Sequence, residues 1–330
     1  MTAPPEAILV VGGAGYIGAH VCKALAQAGR RPITLDNLST GHADFVRWGP
    51  LIQTDITDTA TIRTTLAEHA IKTVIDLAAS IEVGESVRDP LKFYANNFAA
   101  KIAFLATVRE AGVQHVILSS TAAVYGEPET TPIPETHPLR PANPYGRTKL
   151  AYEHMLADFA AAGGPRFIAL RYFNAAGASP DGDIGEAHHP ESHLIARAAL
   201  AAIGAVPPLS IFGRDWPTPD GTNIRDYIHV TDLAAAHVSA ITALENGATT
   251  PACNLGTGTG ASIAEVLTCF AEAGAPVPHS YAPRRPGDPA RLIADPTLAK
   301  QILGWTPSHS DLPTIVRSAL AWHRARLRAA

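Results

Sequence analysis

Short runs of apolar and β-branched residues alternate with longer segments of helical periodicity along the first half of the chain. The runs predict strands at 7–11, 31–36, 50–55, 72–78, 115–120 and 166–173. The segments between them predict helices at about 16–28, 58–69, 96–111 and 145–162. Strand–helix alternation is typical of a parallel sheet with right-handed crossovers and helices on both faces. Several runs are apolar throughout, as expected of strands that are buried on both faces.

The second half of the chain has a different pattern, rich in Pro, Gly and His over 175–222 and mixed in short strands and helices towards its end. Between these stretches, residues 224–241 indicate a strand followed by a helix, and we expect this unit at the edge of the first sheet. We therefore predict an α/β fold with two parts. Residues 1–174 and 223–246 form a Rossmann-type doubly wound parallel sheet, and residues 175–222 and 247–330 form a smaller mixed α/β substrate-binding domain.

A glycine-rich turn joins the first predicted strand to the first predicted helix. Gly13, Gly15 and Gly18 match G-x-G-x-x-G, and Gly12, Gly15 and Gly18 match the related G-x-x-G-x-x-G. Glycines at these positions let the backbone turn tightly and approach a pyrophosphate, while the helix N-terminus supplies free N–H groups and the positive end of its dipole. The turn therefore predicts dinucleotide binding.

An acidic residue ends each of the next two predicted strands. Asp36 is placed to accept hydrogen bonds from an adenosine ribose and to repel a 2′-phosphate. The surrounding sequence LDNLST contains no arginine or lysine that could hold such a phosphate. The sequence therefore favours NAD over NADP. Asp55 ends the third strand, where an adenine edge would lie.

The segment NPYGRTK starts the last of these predicted helices at the ligand-binding edge of the sheet. Asn143 suits the N-cap and Pro144 suits the first helical position. Tyr145 and Lys149 then lie one turn apart on the same helix face. Thr121 is among the hydroxyl residues that end the strand HVILSST, so we expect a threonine, a tyrosine and a lysine to converge where a nicotinamide ring would lie.

These three residue types suit the oxidation of an alcohol by hydride transfer, which also requires removal of the hydroxyl proton. A free tyrosine has a pKa of about 10 and is a poor base at neutral pH. We expect the Lys149 ammonium, the oxidised nicotinamide and the helix N-terminus to favour the Tyr145 phenolate. Thr121 would orient the substrate hydroxyl and relay its proton.

Nearly the whole chain, from about residue 7 to the 320s, resembles the extended short-chain dehydrogenase/reductase family and, more closely, the UDP-glucose (UDP-galactose) 4-epimerases. The segments that carry the resemblance are GGAGYIGAH, LDNLSTGH, VGESVRDPLKFYANN, SSTAAVYGEP, NPYGRTK, LRYFNAAGA, IFGRDWPTPDGTNIRDYIHVTDLA, NLGTG and APRRPGDPARL. The resemblance implies interconversion of UDP-galactose and UDP-glucose by transient oxidation at C4 with bound NAD. A 4-keto intermediate would form, and hydride would return to the opposite face of the sugar.

The resemblance also implies a role for particular residues. The catalytic residues would be Thr121, Tyr145 and Lys149. NAD would contact Gly12, Gly15, Tyr16, Ile17, Gly18, Asp36, Asn37, Asp55, Ile56, Leu77, Ala78, Asn97, Ser119, Tyr145, Lys149 and Tyr172. The UDP-sugar would contact Thr121, Tyr145, Asn174, His193, Leu194, Ile211, Phe212, Arg225, Arg285, Asp288 and Leu292. Arginines suit a UDP diphosphate because their guanidinium groups bind phosphate oxygens in pairs.

The chain departs from the family pattern at three positions. Thr121 stands where many relatives have serine, Ile81 where some have a cofactor-contacting lysine, and His193 where some have asparagine. His189 and His193 have a spacing that would suit a metal, but Pro190 between them argues against a regular helix and no third ligand is evident. We therefore predict no metal.

Other functions remain open beside the one that the resemblance implies. The chain could be a 4-epimerase of another UDP-sugar, such as UDP-N-acetylglucosamine or UDP-xylose and UDP-arabinose, or a non-catalytic dinucleotide sensor. Nucleotide-sugar 4,6-dehydratases typically carry Asp-Glu after the strand-end threonine, whereas Ala122 and Ala123 follow it here. Elimination is therefore disfavoured.

Composition and charge limit the binding partners and the cellular location that we expect for the chain. The chain has 330 residues, of which 46% are hydrophobic and 17% charged, and its formal net charge is -4. These values indicate a sizeable core and no basic surface for nucleic acid or membrane. The N-terminus lacks signal-peptide features, and the three cysteines are widely spaced, so we expect a cytoplasmic protein without disulfides. The resemblance implies a homodimer.

Overall fold

Seven parallel strands form the central sheet of the structure, a computed structural model in which residues 5–285 and 287–329 are described. The strands of the chain are β1 (Ala7–Val11), β2 (Arg31–Asp36), β3 (Leu51–Gln53), β4 (Thr73–Asp76), β5 (His115–Thr121), β6 (Arg166–Tyr172), β7 (Asn174–Ala176), β8 (Leu209–Phe212), β9 (Ile224–Arg225), β10 (Tyr227–His229), β11 (Ala252–Leu255), β12 (Ala261–Ser262), β13 (His279–Ala282) and β14 (Arg291–Leu292). The order across the central sheet is β11-β6-β5-β4-β1-β2-β3, and every neighbouring pair is parallel. This doubly wound order confirms the predicted fold class.

The helices follow the predicted alternation. They are α1 (Tyr16–Gln27), α2 (Thr59–Glu68), α3 (Val83–Arg88), α4 (Pro90–Tyr94), α5 (Ala100–Glu110), α6 (Pro144–Ala161), α7 (Leu194–Ala202), α8 (Val230–Glu245), α9 (Ile263–Glu272), α10 (Thr297–Leu303) and α11 (Leu312–Ala329). The helix predicted at 96–111 begins later than expected, because Ala95–Ala99 form a π-helical turn between α4 and α5. No helix among the described residues is long and apolar enough to cross a membrane.

The central sheet is covered by helices on both faces. Ile8 and Val10 of β1 belong to one apolar cluster with residues of α1 and α8. Leu9 and Val11 belong to a second cluster with residues of α5 and α6. Successive side chains of a strand point to opposite faces, so the all-apolar sequence of β1 fits a strand buried on both sides.

The strand at the edge of the central sheet differs from the prediction. We expected the unit at 224–241 there, but its strand β10 pairs with β7 in a separate two-stranded sheet. The edge next to β6 is formed by β11, and β3 forms the opposite edge. The sequence ACNL of β11 contains a polar residue, Asn254, whose side chain donates to the Ile133 carbonyl and accepts from the Tyr125 hydroxyl. These tertiary hydrogen bonds let a short, partly polar segment lie buried in the sheet.

The remaining elements form a second apolar core. Residues of α7, α9, α11 and β8 share one buried cluster. The helix α9 begins with a capping box, in which Ser262 and Glu265 bond reciprocally to each other's backbone N–H. The division of the chain into two parts stays a prediction, and residues 252–255 lie in the central sheet although the prediction placed 247–330 in the smaller part.

Candidate active site

The glycine turn between β1 and α1 is closely packed against its neighbours. Gly12 has a φ of 79°, and a Cβ added there would lie 2.9 Å from the Ala78 nitrogen. A Cβ added to Gly18 would lie 2.1 Å from the Gly12 carbonyl oxygen. Gly15 is the N-cap of α1, and no side chain caps this helix. The turn thus leaves helix N–H groups available to a pyrophosphate, as a bound dinucleotide requires.

Two carboxylates lie at the end of β2 and two residues after β3, where the sequence predicts contacts with an adenosine. Asp36 accepts hydrogen bonds from the Ala14 N–H at 3.0 Å and from the Leu38 N–H at 2.8 Å. Each bond uses a different carboxylate oxygen, so each oxygen keeps acceptor capacity for a ribose hydroxyl. Asn37 donates to Asp55 at 2.8 Å. Burial raises the pKa of Asp55, but hydrogen bonds, the Asn37 one among them, outweigh it and hold that pKa below its usual range.

The loop after β4 is fixed by one side chain from the π-helical turn. The Ser80 N–H donates to Asn97 Oδ1 at 2.8 Å, and Asn97 Nδ2 donates to the Ser80 carbonyl at 2.9 Å. The same loop contains Leu77 and Ala78, and Ala78 packs against Gly12. The structure thus places Leu77 and Ala78 beside the glycine turn, and Asn97 holds the same loop through Ser80. Ile17 and Ile56 contribute to the two apolar clusters that flank the sheet, and their contacts with NAD stay a prediction.

The predicted trio meets at the carboxyl end of β5. Asn143 caps α6 by accepting from the Gly146 N–H at 2.9 Å, which orients the first turn of the helix. Tyr145 in that turn is half-buried, and its hydroxyl lies beside the Thr121 side chain. Lys149, one turn later, donates to the Ser119 carbonyl at 2.8 Å. The structure therefore brings a hydroxyl, a phenol and an ammonium group to one point.

Without NAD the Tyr145 pKa is not lowered, and the expected lowering, which includes the charge of the oxidised nicotinamide, stays a prediction. Burial raises the pKa of Tyr145 to about 12, while the hydrogen bond to Thr121 acts in the opposite direction. Burial likewise lowers the pKa of Lys149 to about 8, and the nearby Lys101 ammonium adds to this lowering. Both charged forms are disfavoured because the site is shielded from water. Phenolate formation at neutral pH therefore requires a further positive charge.

A buried ion pair lies next to this trio, and sequence reasoning missed it. Lys101 Nζ lies 2.7 and 2.9 Å from the two oxygens of Asp76, the last residue of β4. Tyr152, one turn after Lys149 on α6, donates to the same carboxylate at 2.8 Å. Lys101 shares the apolar face of α5 with Phe104. Lys101 occupies a position that the helical periodicity of α5 assigns to the buried face, and a lysine there predicts a buried acidic partner.

The predicted sugar-nucleotide residues form a cluster on the short strands. Arg225 Nη2 lies 3.5 Å from Asp288 Oδ1, and the Arg285 guanidinium lies 4.2 Å from the centre of the Phe212 ring. Burial lowers the pKa of Arg225, and Asp288 opposes this effect. Leu292 pairs with Arg225 between β14 and β9. The cluster combines cationic groups with an aromatic face.

The other predicted substrate residues have mixed surroundings. Asn174 Oδ1 is buried and has no hydrogen-bond partner among the described residues, so it could serve a ligand. Leu194 begins α7 and is partly buried. The Ile211 side chain is 1% exposed within the second core. A contact of Ile211 with substrate stays a prediction, and the buried side chain leaves its main chain as the available group. Tyr172 is hydrogen-bonded to His237 of α8.

His193 lies in a cluster that the sequence analysis did not expect. His193 Nδ1 lies 2.6 Å from Glu186 Oε1 and 3.4 Å from Glu191 Oε1. His188 Nδ1 lies 3.3 Å from the same Glu186 oxygen. The expectation that no third candidate ligand accompanies His193 is therefore wrong, and it is His188, not the exposed His189, that joins it. The polar sequence GEAHHPESH, with two glutamates and three histidines, is the feature from which this cluster could have been predicted.

Comparison with known proteins connects this geometry to a family. The sequence profile of the NAD dependent epimerase/dehydratase family matches residues 8–256. The UDP-glucose 4-epimerase of Rhizobium leguminosarum bv. trifolii is 49% identical over 319 residues, which cover 96% of this chain and 97% of the relative.

Two solved structures extend the comparison to three dimensions. The crystal structure of UDP-glucose 4-epimerase from Brucella ovis in complex with NAD is 51% identical, with a TM-score of 0.93 and coverage of 96% of this chain and 97% of that one. A UDP-glucose-4-epimerase from Stenotrophomonas maltophila with bound NAD and formylated UDP-arabinopyranose is 41% identical, with a TM-score of 0.94 and coverage of 98% and 100%.

Proposed function

We propose that this chain, which belongs to the NAD dependent epimerase/dehydratase family, interconverts UDP-galactose and UDP-glucose by transient oxidation at C4. The observation that carries the proposal is the meeting of Thr121, Tyr145 and Lys149 at the end of β5. The same edge of the sheet holds the glycine turn and Asp36. Relatives of the same length named UDP-glucose 4-epimerase support the substrate.

The residues present fit an NAD molecule along this edge. The uncapped N-terminus of α1 and the close-packed glycine turn would hold the pyrophosphate. Asp36 would hold the adenosine ribose through the acceptor capacity that its two backbone hydrogen bonds leave. When bound, NAD supplies the acceptor and then the donor of the C4 hydride, together with the positive charge of its oxidised ring.

The protein residues handle the proton of the 4-hydroxyl. Tyr145 removes this proton as hydride leaves C4, which gives a 4-keto sugar, and Thr121 orients the hydroxyl. Lys149 keeps a positive charge beside the phenolate. Because burial raises the pKa of Tyr145 to about 12 without a cofactor, proton removal at neutral pH depends on the charge that arrives with it. Tyr145 returns the proton when hydride returns to the other face.

The arginine cluster would hold the UDP group while the keto sugar turns. Arg225 and Arg285 provide guanidinium groups that suit a diphosphate. Asp288 now lies 3.5 Å from Arg225, so phosphate oxygens would compete with that carboxylate for the guanidinium. A fixed nucleotide and a free hexose are what return of hydride to the opposite face requires.

Two further expectations are part of the proposal. We propose that the protein forms a homodimer and that it is located in the cytoplasm. Exposed apolar side chains on α3, α4 and α5 support a subunit interface there: Val87 is 64%, Leu91 80% and Ile102 49% exposed. Sedimentation at several protein concentrations tests the dimer, and a monomer at micromolar concentration would contradict it.

A coupled assay tests the activity. The purified protein is incubated with UDP-galactose, and UDP-glucose formation is followed with UDP-glucose dehydrogenase. Tyr145→Phe removes only the ionisable oxygen and should lower kcat on the order of 10²- to 10⁴-fold with NAD still bound. Turnover of UDP-N-acetylglucosamine or UDP-xylose alone would favour another epimerase, and NAD binding without any turnover would favour a sensor. A Tyr145→Phe variant within a few-fold of wild type would remove Tyr145 from the mechanism.

A further inference from the structure

Two histidines and two glutamates converge in the segment between β7 and α7, outside the catalytic trio. One donor atom from each of Glu186, His188, Glu191 and His193 lies within 4.8 Å of the other three. The side chains of Glu186 and Glu191 are each only 4% exposed. Buried carboxylates are rare unless they are paired or bind a cation.

Several of these donor atoms lack aligned partners. His188 Nδ1, His193 Nδ1 and Glu191 Oε2 are buried and make no hydrogen bond to any described residue. The 2.6 Å contact of His193 Nδ1 with Glu186 Oε1 is close in distance but lacks hydrogen-bond alignment. Buried polar atoms without partners are uncommon in native proteins and call for a bound group. These atoms lie close together inside the cluster and are shielded from solvent.

We propose that Glu186, His188, Glu191 and His193 bind one divalent first-row transition cation, with Zn²⁺ as the preferred ion. Imidazole nitrogens and carboxylate oxygens are ligands that Zn²⁺ accepts, and four protein ligands are typical of a structural site. Two carboxylates also balance the charge of one divalent cation when the imidazoles are neutral. The proposed site does not include the catalytic trio, although His193 is also among the residues that the resemblance implies as UDP-sugar contacts.

The distances are close to those of a tetrahedral site. Bonds of about 2.0–2.1 Å place neighbouring ligand atoms about 3.3 Å apart. His188 Nδ1 lies 3.3 Å from Glu186 Oε1 and 3.6 Å from Glu191 Oε2, the Glu191 oxygen that has no hydrogen-bond partner among the described residues. Only the 2.6 Å separation of His193 from Glu186 must widen.

The location indicates what a cation would stabilise. The Glu186 carbonyl accepts from Trp322 Nε1 of α11 at 2.8 Å, and the His188 ring packs edge-on against Tyr16 at the start of α1. The cluster ends at His193, the residue before α7. A bound cation would therefore join the start of the NAD-binding helix, α11 and the entry to α7.

The test uses the full-length protein with its NAD and without any histidine tag. The protein is treated with a chelator, dialysed and titrated with ZnCl₂, and bound metal is measured by mass spectrometry. We expect about one Zn²⁺ per chain and, at a hundredfold excess over Kd, a rise in the unfolding temperature on the order of 4 °C. Co²⁺ in place of Zn²⁺ should give the intense visible absorption of a tetrahedral site.

Matched variants decide whether the cluster is responsible. His188→Gln and Glu191→Gln should each lose the stoichiometric metal and the Co²⁺ absorption. The control His189→Gln changes the adjacent exposed histidine and should behave as wild type. Co²⁺ absorption reports on the site itself, so a variant that is merely less stable but still folded remains informative. Wild type that takes up no stoichiometric metal, or cluster variants that bind as wild type does, would overturn the proposal in favour of a metal-free ion-pair cluster.

Discussion

Replacement of Lys101 by methionine would remove one half of the ion pair that lies beside the catalytic lysine. The side chains of Lys101 and Asp76 are 2% and 1% exposed, and both carboxylate oxygens contact Lys101 Nζ. Methionine has a similar length but no charge, so Asp76 would stay buried with the Tyr152 hydroxyl as its one remaining side-chain partner among the described residues. Breaking a buried pair by removing one partner costs about 3–5 kcal/mol of unfolding free energy.

A second variant separates the contribution of the ion pair from the cost of leaving the Asp76 carboxylate buried without its partner. Lys101→Met combined with Asp76→Asn removes both charges and keeps an oxygen that can accept from Tyr152. We expect the double variant to recover most of the lost stability, because much of the cost of the single change is an uncompensated buried carboxylate. The two single changes share a contact, so their effects should not add.

Urea unfolding measures these differences, provided that the slope m is equal among the variants. Arg63→Met is the matched control, because Arg63 pairs with Glu110 of α5 at an exposed position where the two side chains are 56% and 62% exposed. This surface pair should contribute less than about 1 kcal/mol. The reasoning would be refuted if Lys101→Met lowered the unfolding free energy by less than about 1 kcal/mol, or if the double variant were as unstable as the single one.

Three further predictions concern the site. Burial lowers the pKa of Lys149 to about 8, against about 10.4 for an unfolded lysine. The unfolded chain therefore binds this proton more tightly than the folded one does. The unfolding free energy of wild type should accordingly increase as the pH is raised from about 8 to about 10. Lys149→Met should accordingly stabilise the cofactor-free protein most below pH 8 and lose this advantage towards about pH 10, as urea midpoints across pH would show; an advantage that does not change with pH would contradict the shift. Asp36 should exclude a 2′-phosphate, so denatured protein should release NAD(H) and little NADP(H), and mainly NADP(H) would contradict the role of Asp36. Leu292 packs against the apolar cluster that includes Ala122, directly after Thr121. Because tyrosine is bulkier and would leave less room for an N-acetyl group, Leu292→Tyr should lower kcat/KM for N-acetylated UDP-sugars by an amount worth about 1–3 kcal/mol while UDP-glucose turnover is retained. Equal turnover of both sugar classes by wild type, or no effect of the change, would exclude Leu292 as a determinant of sugar size.

Features that depend on neighbouring residues were determined by the sequence itself. Apolar runs and helical periodicity identified β1 to β6 and the helices α1, α2, α5 and α6, but not the short helices α3 and α4, because strand and helix periods are local properties that need several turns to be visible. The glycine turn was identified because its backbone geometry needs glycine, as Gly12 with its φ of 79° illustrates. Asn143 was identified as an N-cap for the same reason, since capping involves only the first turn.

Features that join distant segments were decided only by the tertiary structure. The short strand β11 enters the sheet because the Asn254 side chain finds partners in Tyr125 and Ile133, which are far from it in sequence. The balance of charges at Tyr145 depends on burial, which no local pattern states. The Asp76–Lys101 pair likewise joins β4 to α5. Such contacts depend on which faces pack together, and packing is a property of the whole chain rather than of any one stretch of it.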